Sequence, residues 1–396
     1  MSRNLILDSA RAVLARESEH AIEAYGAAIG RPVTDLSSPA LILDADVARS
    51  NIATMAEAIA PLEATLRPHF KSHKSVALAV LQVESGARGL SAATVWEAAV
   101  LAGSGLDDIF VVNTVAGAAK MTVLAQLARD RSITIAIDDL ANTTALSEAC
   151  ADAGSVLGVA VELNTGMDRA GVDTAARALE LARAVERLPG LEFRGLTGYE
   201  GHCALEHDAE RRRSEQRRAM TLLVEAADSI EAAGIDCLLR SAGGTATWQL
   251  TAGHTGISEI QAGSYVLMDR FHARMAPHFR PALTVLTTVV SAGPERVVFD
   301  AGSKSLDLDG ECRIDPLDLE IARADEEHLI VRPAPAAPLH VGDQVRIVPG
   351  YTPSTLNHYT VFHVAQAGVV TDVWPVAARG PGHHGIDARP ASVAHR

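Results

Sequence analysis

Between Ala40 and Ala262 the sequence switches about eight times from a short apolar run to an Ala-rich stretch of helical period, and few folds accept that rhythm. The apolar runs are Ala40–Leu43, Thr65–Pro68, Gly89–Ser91, Ile109–Val112, Ile133–Ile137, Val156–Glu162, Phe193–Gly198, Cys237–Ser241 and Glu259–Ala262. Helical stretches such as Val47–Ile59, Val95–Ala102, Thr174–Arg187 and Glu210–Ala233 lie between them. Strand then helix, repeated this often, predicts an α/β fold of the (β/α)8 TIM-barrel type. A doubly wound open sheet is the rival. It usually needs fewer units and a Gly-rich first turn, and neither GxGxxG nor GxxxxGK(S/T) stands in the right context here.

The rhythm has edges. Up to about Arg31 the chain reads as an amphipathic helix pair, so residues 1–36 are expected to form a helical extension and 37–278 the barrel. Beyond Phe279 the helical period disappears. Leu283–Ser291, Arg296–Asp300, His328–Arg332, Gln344–Val348, Tyr359–Ala365 and Val369–Trp374 are β-type runs separated by Gly, Pro and Asp turns, which predicts an antiparallel C-terminal β-domain over 279–396. The Pro-rich stretch 332–338 is expected to be a loop within it, and the Gly/Pro/His-rich tail after Gly380 to be mobile.

Charge and cysteine usage remove several function classes. With Lys+Arg 35 against Asp+Glu 49, the net charge of -14 repels phosphate backbones and anionic lipid, so neither nucleic acid nor a membrane surface is an expected partner. No apolar run reaches the ~18 residues a bilayer span demands, and Asp8, Glu17 and Glu19 argue against a signal peptide. Cys150, Cys203, Cys237 and Cys312 are far apart, without CxxC spacing, so zinc-ribbon and disulfide scaffolds are not expected. The expectation is a cytoplasmic enzyme.

Only Lys71, Lys74, Lys120 and Lys304 are lysines. Lys71 closes the segment Arg67-Pro68-His69-Phe70-Lys71 after an apolar run, and barrel strands deliver their C-termini to the face where active sites are built. Partly desolvated there, its amine loses basicity and can attack a carbonyl; taken alone, the position is more often that of a surface lysine just past a strand. Ser241-Ala242-Gly243-Gly244-Thr245 follows another strand and offers backbone N–H groups and a hydroxyl to a phosphate, while Gln261-Ala262-Gly263-Ser264-Tyr265 could complete the cradle. Arg169, in Asn164-Thr165-Gly166-Met167-Asp168-Arg169, and Tyr199 and His202, in Gly198-Tyr199-Glu200-Gly201-His202, also follow strands. Lysine, phosphate cradle, arginine and tyrosine at the strand ends of one barrel are together what pyridoxal phosphate requires.

These segments, with SAATVWEAAVLAGSGLDDIFVVN, VVFDAGSKSL and DVWPVAARG, occur in an order that resembles the fold-type III pyridoxal-phosphate enzymes of the alanine-racemase superfamily. The resemblance is to the D-threonine aldolase / D-serine dehydratase-like group and runs from about residue 35 to 380. It implies pyridoxal 5'-phosphate carried on Lys71 as an imine. It also implies Arg169 at the cofactor's phenolic oxygen, Tyr199 against the ring or its nitrogen, and Gly243, Gly244, Thr245 and Tyr265 at the phosphate. A homodimer with active sites at the interface is implied as well.

One segment departs from the group. A motif like Pro-Asn-His-x-Cys/Asp-x-x-x-Asn, whose His and Cys or Asp bind a divalent metal, is represented here by Pro349-Gly350-Tyr351-Thr352-Pro353-Ser354-Thr355-Leu356-Asn357. Proline has no side-chain donor and neutral tyrosine is a poor ligand for Zn²⁺ or Mn²⁺, so no metal is expected at this motif. His358, His363 or His383-His384 are the candidates for a relocated site. Without a metal, dehydration loses the acid that helps hydroxide leave, whereas aldol cleavage needs only a base for the β-hydroxyl proton. The expected function is therefore aldol-type Cα–Cβ cleavage or formation on D-β-hydroxy-α-amino acids. Its base candidates are Tyr351, His69, His202 and His358. The alternatives are an amino-acid racemase or epimerase, a D-hydroxy-amino-acid dehydratase, or a cofactor-binding homeostasis protein.

Overall fold

Eight parallel strands curl into one sheet in the order Thr65–Leu66, Glu259–Ile260, Leu239–Ala242, Leu191–Thr197, Leu157–Glu162, Ile133–Ile137, Ile109–Val111 and Leu90–Ala92. A parallel bridge between His69 and Ser91, with the Ser91 N–H donating to Pro68 O at 2.9 Å, joins the two ends and closes the barrel. This is a computed structural model, and it describes residues 5–308, 312–315, 319–332 and 339–381.

The strands close because alternate side chains fill two separate spaces. Ile109, Val111, Ile133, Ile135, Ile137, Val159 and Val161 enter the large core beneath the helices. Phe110, Ala136 and Ala160 form their own small cluster with Val112 and Leu239, the packed lumen of the barrel. Helices start where a side-chain oxygen accepts a backbone N–H: Asp44 from Val47, Ser75 from Leu78, Thr94 from Glu97, Asp139 from Asn142 and Thr174 from Arg177. Each such cap is worth about 1 kcal/mol.

Polar closure reinforces the apolar one. Inside the barrel Arg67 donates from Nε to Glu259 Oε2 at 2.7 Å and from Nη1 to Asp108 Oδ1 at 2.9 Å, while Ser241 Oγ donates to Glu259 Oε1 at 2.7 Å. The network ties the first barrel strand to the last two.

The second sheet is mostly antiparallel. Its main path runs Glu320–Ala324, Leu329–Arg332, Val297–Phe299, Leu283–Ala292, Ala40–Asp44, Val361–Gln366 and Val369–Pro375; Gln344–Val348 pairs with both Leu283–Ala292 and Arg313–Asp315. The run Ala40–Leu43, counted above among the barrel candidates, is thus a strand of this sheet, antiparallel to Leu283–Ala292 and parallel to Val361–Gln366. All four residues are buried, and a run covered on both faces has no period that says which sheet takes it. The expected N-terminal helix pair is a single helix, Leu5–Tyr25, followed by the short 3-10 turns Gly26–Ala28 and Val33–Asp35. It packs on Val95–Gly103, where a Cβ on Gly103 would meet Ala10 Cβ at 2.8 Å. Among the described residues no helix is long and apolar enough to cross a membrane. Part of the 332–338 loop and nearly all of the tail, including His383-His384, lie outside the described residues.

Candidate active site

The C-terminal rim of the barrel opens into a cavity lined by His69, Lys71, Arg169, Tyr199, Gly243, Gly244, Thr245 and Tyr351, together with Ser72, Asn113, Glu162, Gln261, Gly263, Ser264 and His272. Most of the residues singled out from sequence therefore share one space.

Lys71 is presented by the 3-10 turn Phe70–Ser72. The turn is anchored by the wholly buried Phe70 ring and by the Lys74 N–H, which donates to Phe70 O at 2.8 Å. Ser75 then caps the next helix, so chain direction is fixed on both sides of the lysine. Burial pushes the Lys71 amine below the usual lysine range; Glu97 pulls it upward and Arg169 pushes it further down. Burial also takes the His69 imidazole well below its ordinary value, with the neighbouring Lys71 charge acting the same way, and leaves its Nδ1 enclosed without a partner.

Arg169 follows an Asx turn in which Asn164 Oδ1 accepts from the Gly166 and Asp168 N–H groups, at 3.1 Å each, and Asp168 adopts φ +52°. Its guanidinium lies 5.6 Å from the centre of the Tyr199 ring and 3.8 Å from Glu162 Oε1. Burial raises the Glu162 carboxyl while Arg169 opposes the shift, and Glu162 Oε2 is enclosed without a partner. Burial, with the neighbouring Glu200 adding to it, raises the Tyr199 phenol above the usual tyrosine range.

The phosphate-cradle expectation takes a particular form. Gly243, at φ +83°, donates its N–H to the buried Glu200 carboxylate at 3.1 Å, and Gly244 donates to Thr247 Oγ1 at 3.0 Å. Both amides shape the loop from within, while a Cβ on Gly244 would meet the Tyr199 ring at 3.3 Å. The lining side chains that offer donors for an anion are hydroxyls: Thr245, and Ser72 and Ser264, whose oxygens are 3.4 Å apart. A Cβ on Gly263 would meet His69 O at 2.5 Å and Ser72 Oγ at 2.6 Å, so only glycine fits that wall. Tyr265 contributes its backbone, whose N–H donates to Thr245 Oγ1 at 3.0 Å; its fully buried phenol accepts from Gln82 Nε2 at 2.9 Å, away from the cavity. A motif position places a backbone but does not choose the side-chain rotamer. An amine of lowered basicity, a glycine-walled hydroxyl cluster, an arginine, a tyrosine face and two enclosed polar atoms without partners fit pyridoxal phosphate.

The β-domain closes the cavity through 349–355. Pro349 O and Gly350 O accept from the Arg270 and Phe271 N–H groups, both at 3.1 Å, and Thr352 Oγ1 donates to Met268 O at 2.9 Å. Burial, with Asp269 and Asp307 adding to it, pushes the Tyr351 phenol up to about 12. Pro353 is buried. His202 is not brought to the cavity: it lies against Gly166, with Nε2 3.5 Å from Cys203 Sγ. His358 and His363 line a different groove, between the N-terminal extension and the β-domain. Among the described residues no cluster of three or more His, Cys, Asp or Glu side chains is placed to hold a metal ion.

Sequence reasoning missed Ser72, Asn113 and, above all, His272. The last sits in Arg270–Ala273, a four-residue helix, where no period marks it. The usable signal was Asp269 three residues earlier, an N-cap whose side chain also reaches a histidine.

Comparison with known proteins agrees with this architecture. The family profile "Alanine racemase, N-terminal domain" matches residues 43–270, and "Putative serine dehydratase domain" matches 282–365. The chain is 34% identical to a D-threonine aldolase of Arthrobacter sp over 363 residues, covering 89% of this chain and 95% of that one. It is 33% identical to a 3-hydroxy-D-aspartate aldolase of Paracoccus denitrificans, with the same coverage of 89% and 95%. The crystal structure of D-threonine aldolase from Filomicrobium marinum superposes with a TM-score of 0.86 at 33% identity, covering 89% and 98% of the two chains.

Proposed function

Because the chain belongs to the fold-type III pyridoxal-phosphate family of alanine racemase, in its D-threonine aldolase and D-serine dehydratase-like group, we propose that it is a pyridoxal-phosphate-dependent aldolase acting on D-configured β-hydroxy-α-amino acids. The observation that carries the reading is the convergence of Lys71, Arg169, Tyr199 and Thr245 on one cavity at the barrel rim.

In this reading Lys71 binds the cofactor's aldehyde carbon, Arg169 its phenolic oxygen, Tyr199 its ring, and the Gly243-Gly244-Thr245 loop and the Gly263–Tyr265 turn its phosphate. When bound, pyridoxal phosphate supplies an electron sink for the pair left at the substrate α-carbon. The lowered basicity of Lys71 frees its amine to bind a carbonyl and to carry a proton at the α-carbon. Tyr351 keeps its O–H and serves as a donor to the substrate. The same reading leaves the 349–357 loop without the group's divalent metal, since Pro353 offers no donor and Tyr351 is held neutral. It includes a cytoplasmic homodimer whose interface completes the site, with 37–278 and 279–396 as its working domains.

Chiral chromatography of products from a panel of D- and L-β-hydroxy amino acids tests the proposal. Glycine plus an aldehyde, from D-substrates, supports it. Interconversion of D and L without cleavage would mean a racemase, and ammonia with a keto acid a dehydratase. Metal analysis before and after chelation tests the loop: a chelator-sensitive enzyme with about one bound Mn²⁺ or Zn²⁺ overturns that part.

A further inference from the structure

An aldolase of this kind needs a group that accepts the β-hydroxyl proton, and the histidines and tyrosine considered so far serve poorly. Tyr351 holds its proton up to about 12, and the buried His69 stands beside the Lys71 charge. His202 is outside the cavity and His358 lines another groove.

His272 has the missing geometry. It lines the cavity, and its ring stacks on Tyr351 with centroids 6.0 Å apart and planes inclined by 25°. Its Nδ1 is 2.7 Å from Oδ1 of Asp269, whose side chain is fully buried. That carboxylate is fixed in turn: Oδ1 accepts the His272 N–H at 2.9 Å and Oδ2 the Thr352 N–H at 3.1 Å. A buried acceptor at Nδ1 selects the tautomer whose Nδ1 carries the proton, leaving the Nε2 lone pair free to accept one. Nε2 has no protein partner among the described residues. The dyad also bridges the two domains: Asp269 and His272 follow the last barrel strand, and Thr352 belongs to the β-domain loop.

We infer that His272, oriented by Asp269, is the catalytic base that takes the substrate's β-hydroxyl proton; the inference rests on the aldolase reading above. The O–H bond breaks to Nε2, the oxygen pair forms the aldehyde C=O, and the Cα–Cβ pair stays with the glycine fragment. A proton is returned to that α-carbon, and His272 releases its own, so charge and atoms balance over the cycle.

The test compares wild type, His272→Gln, His272→Asn and Asp269→Asn in two reactions. One is cleavage of a D-β-hydroxy amino acid; the other is α-proton exchange of glycine in D₂O, which has no β-hydroxyl to deprotonate. Cleavage kcat should fall about 10²- to 10⁴-fold in both His272 variants, with exchange falling about tenfold at most. Cleavage within about threefold of wild type, or equal loss of both reactions, overturns the inference. A cofactor-free readout is imidazole ¹H–¹⁵N NMR. His272 should carry its proton on Nδ1 in the wild type and lose that preference in Asp269→Asn; a proton on Nε2 in the wild type overturns the inference. A wild type that exchanges glycine but cleaves no β-hydroxy amino acid overturns the aldolase reading itself, and the His272 assignment with it.

Discussion

At the barrel end of the cavity, Lys71 stands on a turn pinned by a buried ring and backed by the buried ion pair of Arg67 with Glu259, which the half-buried Asp108 extends towards the surface. At the β-domain end, Tyr351 stands on a loop held by single hydrogen bonds to the backbone of Met268–Phe271 and by hydroxyls such as Thr352 and Thr355. Such a site tolerates change far better at its second end. Removing one member of a buried ionic network strands the others, whereas a loop held by separate hydrogen bonds, the one from Thr352 N–H to the Asp269 carboxylate among them, loses them one at a time.

Breaking the barrel end should be catastrophic. Lys71→Ala is expected to lower cleavage by about 10⁴-fold, the upper end of what one proton-transferring side chain contributes, and to abolish the absorbance near ~420 nm on reconstitution. Retained absorbance, with borohydride labelling another lysine, would move the cofactor elsewhere. Next in size, Glu259→Ala should cost about 3–5 kcal/mol in chemical denaturation, because it leaves Arg67 enclosed with one carboxylate fewer. A loss below about 1 kcal/mol would place the barrel's closure in its apolar layers alone.

The pH profile sharpens the contrast further. His73 lies under the Lys71 turn, where its Nδ1 accepts the Ser75 N–H at 3.1 Å and its Nε2 is 3.0 Å from Gln82 Oε1. Burial lowers it from 6.5 to about 4. Between those values the unfolded chain binds a proton that the folded one refuses. The contribution of His73 is therefore complete above pH 6.5 and lost as pH falls towards 4, by roughly 3 kcal/mol in all. Denaturation of wild type and His73→Asn at several pH values in this window should show a shallower slope in the variant. At the other end of the cavity, Thr352→Val should cost only about 1 kcal/mol, since one hydrogen bond to Met268 O is removed without exposing a charge.

Much of the barrel end could be read from sequence because its determinants are local. Strand runs, N-caps and a lysine just past a strand are each visible within a few residues, and the convergence of Lys71, Arg169, Tyr199 and Thr245 follows from the fold's geometry. What escaped was set by tertiary pairing. Ala40–Leu43 is apolar enough for either sheet, and only its partners Leu283–Ala292 and Val361–Gln366 decide the matter. Tyr265 lies in the expected turn, yet Gln82, 183 residues away, directs its phenol inward. His272 becomes meaningful only once a loop 83 residues beyond Asp269 donates to the same carboxylate.

The placement of Ala40–Asp44 in the second sheet also governs the order of assembly. On a ribosome this segment emerges early, yet both its neighbours are encoded more than two hundred residues later. It waits unpaired while the barrel strands are made, and the second sheet can zip shut only after Val361–Gln366 has been synthesised. A fragment cut at the apparent boundary near Phe279 would lack the central rung of its own ladder, so each piece inherits an exposed edge prone to sticking.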